Sequence, residues 1–270
     1  MKGVWGATMR IEEKSWNEFW AVHFRIDHRH RIPGIFEWDR QLVAFIEQVC
    51  QLAPPARILD LGCGGGDQAK LFAHKGYAVV GIEIAPPLVE FARQQFAREN
   101  LSGTFIIGDM RDIAYDAEFD ACLMLSGTFG FFGDDGDQKL LCSILRALKP
   151  GGKTFLMVVP VGHAGRRIRK WSETDGGWAL TETWFDVETS TYRSNHFIVL
   201  RDGALLRPKA EPGYHANEVI RCYTLPEMRM MLSKAGLRYL ASYSSGDLSL
   251  PPKPPGADVP REIVVAERPR

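Results

Sequence analysis

The sequence predicts an α/β fold: a doubly wound, mostly parallel sheet with an inserted antiparallel β-rich cap and an N-terminal helical lid. Three observations carry this. Short apolar runs alternate with amphipathic helical segments from about residue 56 to 160. A turn of four glycines in "ILDLGCGGGDQ" (58–68) joins the first of those runs to the first of those helices. After Pro160 the helical period gives way to β-branched and aromatic residues, and the alternation resumes near residue 224.

The elements follow in order. In "EKSWNEFWAVHFRIDHRHRIPGIFEWDRQLVAFIEQVCQL", Trp16, Trp20 and Phe24 recur at i, i+4, i+8, and Leu42, Phe45, Ile46 and Val49 mark a second helix ending before Pro54-Pro55. "RILDLG" reads as a strand, "DQAKLFAHKG" as a helix, "AVVGIEI" as a strand, and "PPLVEFARQQFARENL" as a helix with prolines at its start. "GTFIIGDM" and "FDACLMLS" are the third and fourth strands. "DQKLLCSILRALKPGG" is a helix closed by Pro-Gly-Gly, and "KTFLMVVP" the fifth strand. "WALTETWFDVETSTYRSNHFIVLRDGALL" and "NEVIRCYT" read as an antiparallel meander with Asp-Gly at 202–203. "LPEMRMMLSKAGL" then restores a helix, and "RYLASYS" and "REIVVAE" bring the strands of the main sheet to seven, with a proline-rich loop over 246–260 between them. The expected division is a lid region at 1–52, a wound core at 53–160 and 224–270, and a cap at 161–223.

Bulk properties exclude several classes. Of 270 residues, 45% are hydrophobic and 24% charged, as in a globular domain with a large core. With 33 basic and 33 acidic residues, no net field draws in nucleic acid or an anionic membrane. The one basic run, Arg166, Arg167, Arg169 and Lys170 beside Trp171, reads first as a solvated face. No apolar stretch has the length of a membrane span, and "MKGVWGATMRIEEKSW" lacks the apolar core of a secretory signal. Five cysteines (Cys50, Cys63, Cys122, Cys142, Cys222) without a C-x-x-C pair suit reduced thiols, so a cytoplasmic protein is expected. His28 and His30 in "HFRIDHRH" have no third ligand at a clear spacing, and no metal is expected.

The glycine turn is the informative motif. A phosphate loop requires Lys-Ser or Lys-Thr after its glycines, and Asp67-Gln68 stands there instead. A dinucleotide fingerprint requires a third glycine where Asp67 stands, and an acid there opposes a pyrophosphate. Glu83, 19 residues beyond Gly64, ends the second strand, where a carboxylate accepts from ribose hydroxyls. Asp109, ending the third strand, offers an acceptor for an adenine amino group. Three acids beside such a turn favour a nucleoside-like ligand that carries donors and positive charge, without phosphate.

Taken in order and spacing, "ILDLGCGGG", "VVGIEIA", "IIGDMRD", "FDACLML" and "LRALKPGGKTFLMV" resemble class I S-adenosylmethionine-dependent methyltransferases. The resemblance covers residues 40–160, and the later segments resemble the branch that acts on small molecules. It implies a Rossmann-like sheet, S-adenosyl-L-methionine as cofactor and S-adenosyl-L-homocysteine as product. By that resemblance Asp60 and the backbone of Gly62, Cys63 and Gly64 through Gly66 hold the methionine moiety. Glu83 binds the ribose and Ile84 packs on the adenine. Asp109 and Met110 meet its edge and face, and Leu125 and Ser126 lie beside the methionine portion. The aromatic N-terminus is then a lid over the donor, or simple core packing.

Methyl transfer needs a base only when the acceptor nucleophile holds a proton. His163, on the rim after the fifth strand, is the candidate. Phe129, Phe131 and Phe132 are candidates for an acceptor pocket or for packing, and Glu182, Trp184, His196, Arg221 and Tyr223 are candidate acceptor contacts from the cap. The expected function is methyl transfer to an O, N or C atom of a small-molecule acceptor, without nucleic acid or membrane as partner. The alternatives are an RNA or protein methyltransferase, a non-catalytic S-adenosylmethionine-binding protein, and a nicotinamide oxidoreductase. The last is disfavoured by the missing glycine, and RNA by the neutral charge and by "LSGTFGFF" after the fourth strand.

Overall fold

The computed structural model describes residues 10–26, 35–161, 167–174, 176–209, 218–249 and 262–270. In chain order the elements begin β1 (Ile11–Lys14), α1 (Trp16–Ile26), α2 (Ile35–Cys50), β2 (Arg57–Leu61), α3 (Asp67–His74), β3 (Ala78–Glu83), α4 (Pro86–Arg98) and β4 (Gly103–Ile107). They continue with β5 (Phe119–Phe129), α5 (Gly133–Ala147), β6 (Leu148–Val158), β7 (Ile168–Thr174), β8 (Gly177–Asp186) and β9 (Thr191–Leu200). The last are β10 (Leu205–Pro208), β11 (Glu218–Arg221), α6 (Leu225–Ala235), β12 (Arg238–Ser244) and β13 (Glu262–Glu267).

Seven strands form the main sheet in the order β12-β13-β6-β5-β2-β3-β4. The pairs β2–β3, β3–β4, β2–β5 and β5–β6 are parallel, and β13 runs antiparallel to both β6 and β12. Parallel strands buried on both faces need apolar side chains on both. β2 and β5 supply them: Ile58 packs toward one face with Ala121 and Leu123, Leu59 toward the other with Cys122 and Met124. One face is covered by α5 and α6 through Leu140, Leu141, Ile144, Met228 and Leu232. The other is covered by α2, α3 and α4 through Leu42, Ile46, Phe72, Val89 and Phe96.

The second sheet runs β1-β10-β9-β8-β7, with β11 on the same edge of β9 as β10. It is antiparallel except for β1 against β10. Alternation along β9 is clear: Ser194, His196 and Ile198 are buried on the inner face, while Arg193, Asn195 and Phe197 are only partly covered. α1 lies on that inner face, with Phe19 fully buried against Ile198 and Leu206.

Four expectations change. A boundary at residue 52 divides the molecule in the wrong place, because α2 is a core helix whose Leu42, Val43, Phe45 and Ile46 are essentially solvent-free. Each such side chain is worth roughly 1.5–3 kcal/mol of burial, so this helix is part of the wound domain. β1 joins the cap sheet, so the N-terminal segment is built into the cap rather than being purely helical. The basic run continues as strand β7, the edge of the cap, where Arg169 and Arg167 pair with Glu182. Pro150-Gly151-Gly152 lies within β6, not after the helix as a separate turn. No helix among the described residues is long and apolar enough to cross a membrane.

Candidate functional site

Strands β5, β2, β3 and β4 lie side by side and parallel, so their carboxyl ends share one rim. The chain winds from β2 through β3 and β4 to one side, then returns to place β5 on the other side of β2. The crevice at such a reversal is where wound sheets bind ligands.

The glycine turn leaves β2 at that reversal. Gly62 and Cys63 donate their N–H groups to Ile82 O at 2.8 and 3.1 Å, which ties the turn to β3. Gly62 and Gly66 have φ of 74° and 81°, the left-handed region that suits glycine. A Cβ on Gly62 would lie 3.1 Å from Thr128 Cγ2 and 3.3 Å from Met110 Cε, so this backbone meets both the end of β5 and the turn after β4. At Gly64 a Cβ would meet no protein atom within 4 Å, and the turn there presents bare backbone.

Two carboxylates flank the turn. Asp60 is only 4% exposed, and no donor among the described residues bonds to it. Burial, and secondarily the nearby Glu83, push its carboxyl up to about 7. Glu83 accepts from Gly64 N at 3.1 Å on one oxygen and from Ala85 N at 2.9 Å on the other. Burial raises its carboxyl too, and those backbone donors offset part of the rise. Cys63 is buried with its thiol driven upward, first by desolvation and then by both acids, so it is an inert spacer. Its Sγ occupies room left by Gly81, where a Cβ would come within 2.6 Å of it.

The remaining cofactor candidates divide. Ile84 is 46% exposed on the rim, open to pack against a ring. Met110 reaches Gly62 as described. Asp109 caps the short turn at Met110–Asp112 and is gripped by Arg111, whose backbone N and Nε lie 2.8 and 3.0 Å from one carboxylate oxygen. That grip holds the Asp109 carboxyl below the usual range. Asp109 therefore orders its own turn, and its carboxylate is already occupied by Arg111. Leu125 is buried, while Ser126 is exposed with φ of 63°, and Gly127 follows at 75°. The β5–β6 register breaks between Met124 and Phe129 at this point, and Thr128 Oγ1 closes the bulge on Leu125 O at 2.6 Å. A non-glycine residue held in the left-handed region beside a binding crevice is strain of the kind that sites retain.

The acceptor candidates are dispersed. Phe129 is 1% exposed in the core against Tyr223, with ring centroids 5.7 Å apart. Tyr223 is itself buried and donates to Asp137 Oδ2 at 2.8 Å. Arg221 bonds Glu227 and Asp134 at 2.7 and 3.1 Å, tying the cap to α6 and α5. Trp184 lies on the outer face of the cap with Arg167 stacked 4.6 Å from its ring, as does Glu182 with Arg169. Phe132 sits under the Arg111 guanidinium at 4.3 Å. Each of these six already has a packing or pairing partner within the protein. His196 alone faces inward from the cap, with Trp20 of α1 at 5.0 Å between ring centroids. His163, His28, His30 and most of the proline-rich loop lie outside the described residues.

Sequence reasoning missed Thr128, the buried Gln68–Asp39 bond at 2.9 Å that joins α3 to α2, and the packing of α1 on the rim after β3. There Ala21 meets Ala85 and Leu88, directly after Glu83. Only the aromatic spacing of α1 hinted at a buried face. Among the described residues, no group of three His, Cys, Asp or Glu is arranged to hold a metal ion.

Residues 58–152 match a family model described as a methyltransferase domain. The cypemycin N-terminal methyltransferase of a Streptomyces species is 35% identical over 101 residues, which is 37% of this chain and 40% of that protein. The demethylmenaquinone methyltransferase of Thermus thermophilus is 34% identical over 109 residues, 39% of this chain and 48% of that protein. These alignments thus span less than half the length of the curated relatives. The CcbJ methyltransferase from Streptomyces caelestis superposes with a TM-score of 0.72 at 18% identity, over 92% of this chain and 95% of its own. The CalS10 amino pentose methyltransferase from Micromonospora echinaspora, with S-adenosylmethionine bound, gives 0.63 at 21% identity over 85% and 91%. The last two likenesses are of fold. The resemblance to class I S-adenosylmethionine-dependent methyltransferases therefore holds in sequence over the core and in fold over most of the chain, and S-adenosylmethionine is the cofactor of that family.

Proposed function

We propose, on the premise of that methyltransferase core, that the chain transfers a methyl group from S-adenosylmethionine to a small-molecule acceptor. One observation carries the reading: a buried Asp60 carboxylate, to which no described residue donates, stands beside a glycine turn whose Gly64 N–H positions Glu83. A carboxylate kept from water costs free energy until a cation meets it. An ammonium supplies that charge, whereas a phosphate opposes it. Glu83, with both oxygens oriented by backbone donors, retains lone pairs for two ribose hydroxyls. Ile84 and Met110 offer apolar surfaces to a base, and the Ser126–Thr128 bulge brings backbone to the methionine side. The bound donor supplies an already activated methyl on its sulfonium, so the protein's task is to position the acceptor and exclude water.

The lid and cap roles belong to this proposal. The inner face of the second sheet and α1 form the acceptor side, with the cap extending from 161 to 223 and joined by β1. A chain of zero formal net charge supports a small acceptor over a nucleic acid. Two of the relatives' names support the same choice, a demethylmenaquinone methyltransferase and an amino pentose methyltransferase.

The test is calorimetry with S-adenosylhomocysteine. The wild-type chain should bind it, and Glu83→Ala and Asp60→Ala should each weaken binding at least about tenfold, the effect of losing one charged hydrogen bond. Unchanged affinity in both variants removes the reading.

A further inference from the structure

We infer that His196, held by Glu218 on the inner face of the cap, is the base that takes a proton from an amine acceptor. This rests on the methyltransferase reading above. His196 sits on β9 with its side chain 11% exposed, and its Nε2 lies 3.0 Å from Glu218 Oε2 on β11. Its Nδ1 faces Thr181 Oγ1 of β8 at 3.4 Å. The Trp20 ring of α1 lies against it. Around His196, β11 presents the Glu218 carboxylate, β8 presents Thr181 and α1 presents Trp20. Directly opposite Glu218 in the register is Ser194, 1% exposed, whose Oγ has no hydrogen-bond partner. A buried hydroxyl without a partner is uncommon, and here it shares a face with a paired histidine.

This cluster is pinned above the donor rim from two sides. At one side Arg221 N of β11 donates to Gly130 O at 2.8 Å, just past the Ser126 bulge. Ile220, on the same face as Glu218, packs over Gly130, where a Cβ would come within 2.8 Å of its Cγ2. At the other side α1 rests Ala21 on Ala85 beside Glu83. Both anchors lie at the carboxyl ends of parallel strands, Gly130 just past β5 and Ala85 just past β3.

The chemistry selects the acceptor. In the tautomer that donates Nε2–H to Glu218, Nδ1 is the basic nitrogen, with the Thr181 hydroxyl beside it. Imidazole is matched to a proton that ionises within a few pH units of neutrality, as an ammonium does and an aliphatic alcohol does not. A phenol ionises in the same range, yet an indole face and a carboxylate disfavour its anion and attract a cation. In the step, the ammonium N–H proton passes to Nδ1 and the freed lone pair attacks the methyl carbon. The carbon–sulfur bond breaks with its pair remaining on sulfur, leaving a neutral thioether and an N-methylammonium. The imidazolium, stabilised by Glu218, then loses its proton to solvent.

The experiment uses the full chain and S-adenosylmethionine tritiated in the methyl group. The probes are matched pairs: benzylamine and benzyl alcohol, cyclohexylamine and cyclohexanol, glucosamine and glucose. Transfer to at least one amine and to no alcohol is expected. His196→Asn, which keeps a polar side chain in the sheet, should lower kcat at least 100-fold with S-adenosylhomocysteine affinity within twofold of wild type. Glu218→Gln should lower kcat about tenfold with S-adenosylhomocysteine affinity within twofold of wild type, a split between turnover and binding that a merely structural residue does not produce. If no amine accepts the methyl, if alcohols alone accept it, or if His196→Asn stays within threefold of wild type, the assignment is overturned. Retained S-adenosylhomocysteine binding in that event leaves the methyltransferase reading standing; its loss in the wild-type chain removes both.

Discussion

At the scale of single residues, Asp60 concentrates the energetics of the site. Its carboxyl is raised to about 7 from 3.8 by burial and then by Glu83. The sign follows. A folded-state value above the unfolded one means that the folded chain holds a proton which the unfolded chain has lost between about pH 4 and 7. Stability therefore falls as pH rises through that window and levels off above it, by at most about 4 kcal/mol. Binding of a cationic donor has the opposite dependence, since it requires the ionised acid. We predict that S-adenosylhomocysteine affinity falls by up to about tenfold per pH unit below 7, read by calorimetry between pH 5.5 and 8. Asp60→Asn should flatten that profile while raising the melting temperature of the ligand-free chain at pH 8. This residue was legible in the sequence because Asp60, the glycines and Glu83 form a local motif with a fixed order. Arg221 and Tyr223 were not, because what fixes their roles is distant: Asp134 and Asp137 lie 87 and 86 residues away. Asp109 was half legible, since its place was evident and its capture by Arg111, two residues on, was not.

At the scale of elements, the wound strands and helices announce themselves by period, and the small pieces of the cap do not. β1 is four residues, "IEEK", on a sheet edge with an exposed–partial alternation, and its one apolar residue, Ile11, is exposed. β7 carries the basic run, and its strand character comes from pairing with β8 across seven residues. Those two strands explain why the N-terminal segment and the insert read as separate regions though they share one sheet. α1 is the joint between that sheet and the donor rim, with Phe19 on one side and Ala21 on the other. Phe19→Ala should remove roughly 3–5 kcal/mol of packing from this joint. Because the Phe19, Ile198 and Leu206 cluster is small and separate from the two main core clusters, the loss should stay local. Hydrogen exchange is expected to quicken over β9 and β10 and to remain unchanged over β2 to β6. S-adenosylhomocysteine affinity should fall with it, since the helix no longer holds the turn after Glu83.

For the whole molecule, what matters is where the proposed donor site meets the sheet. Asp60, Glu83 and the Ser126 bulge end β2, β3 and β5, the strands whose side chains fill both core clusters. Alternation made that frame readable, because a parallel sheet buried on both faces needs continuous apolar runs separated by amphipathic helices. The position of the cap over the frame was not readable, because it rests on backbone bonds such as Arg221 N to Gly130 O between segments 91 residues apart. A ligand bound to central strands stabilises the cooperative unit itself, by about 2.7 kcal/mol at one hundred times its dissociation constant. For a chain of this size that corresponds to roughly 5–10 °C in the main melting transition. Thermal unfolding with S-adenosylhomocysteine at that excess should therefore move the main transition, and NAD at equal concentration should not, because its pyrophosphate meets Asp60 and Glu83. Phe19→Ala separates the contributions further. With its cap loosened, the main transition should still respond to S-adenosylhomocysteine through β2, β3 and β5. The shift should be smaller at fixed ligand concentration, by the amount that the weaker affinity dictates. A variant whose main transition no longer responds at any ligand concentration would mean instead that the cap, not the sheet, carries the donor.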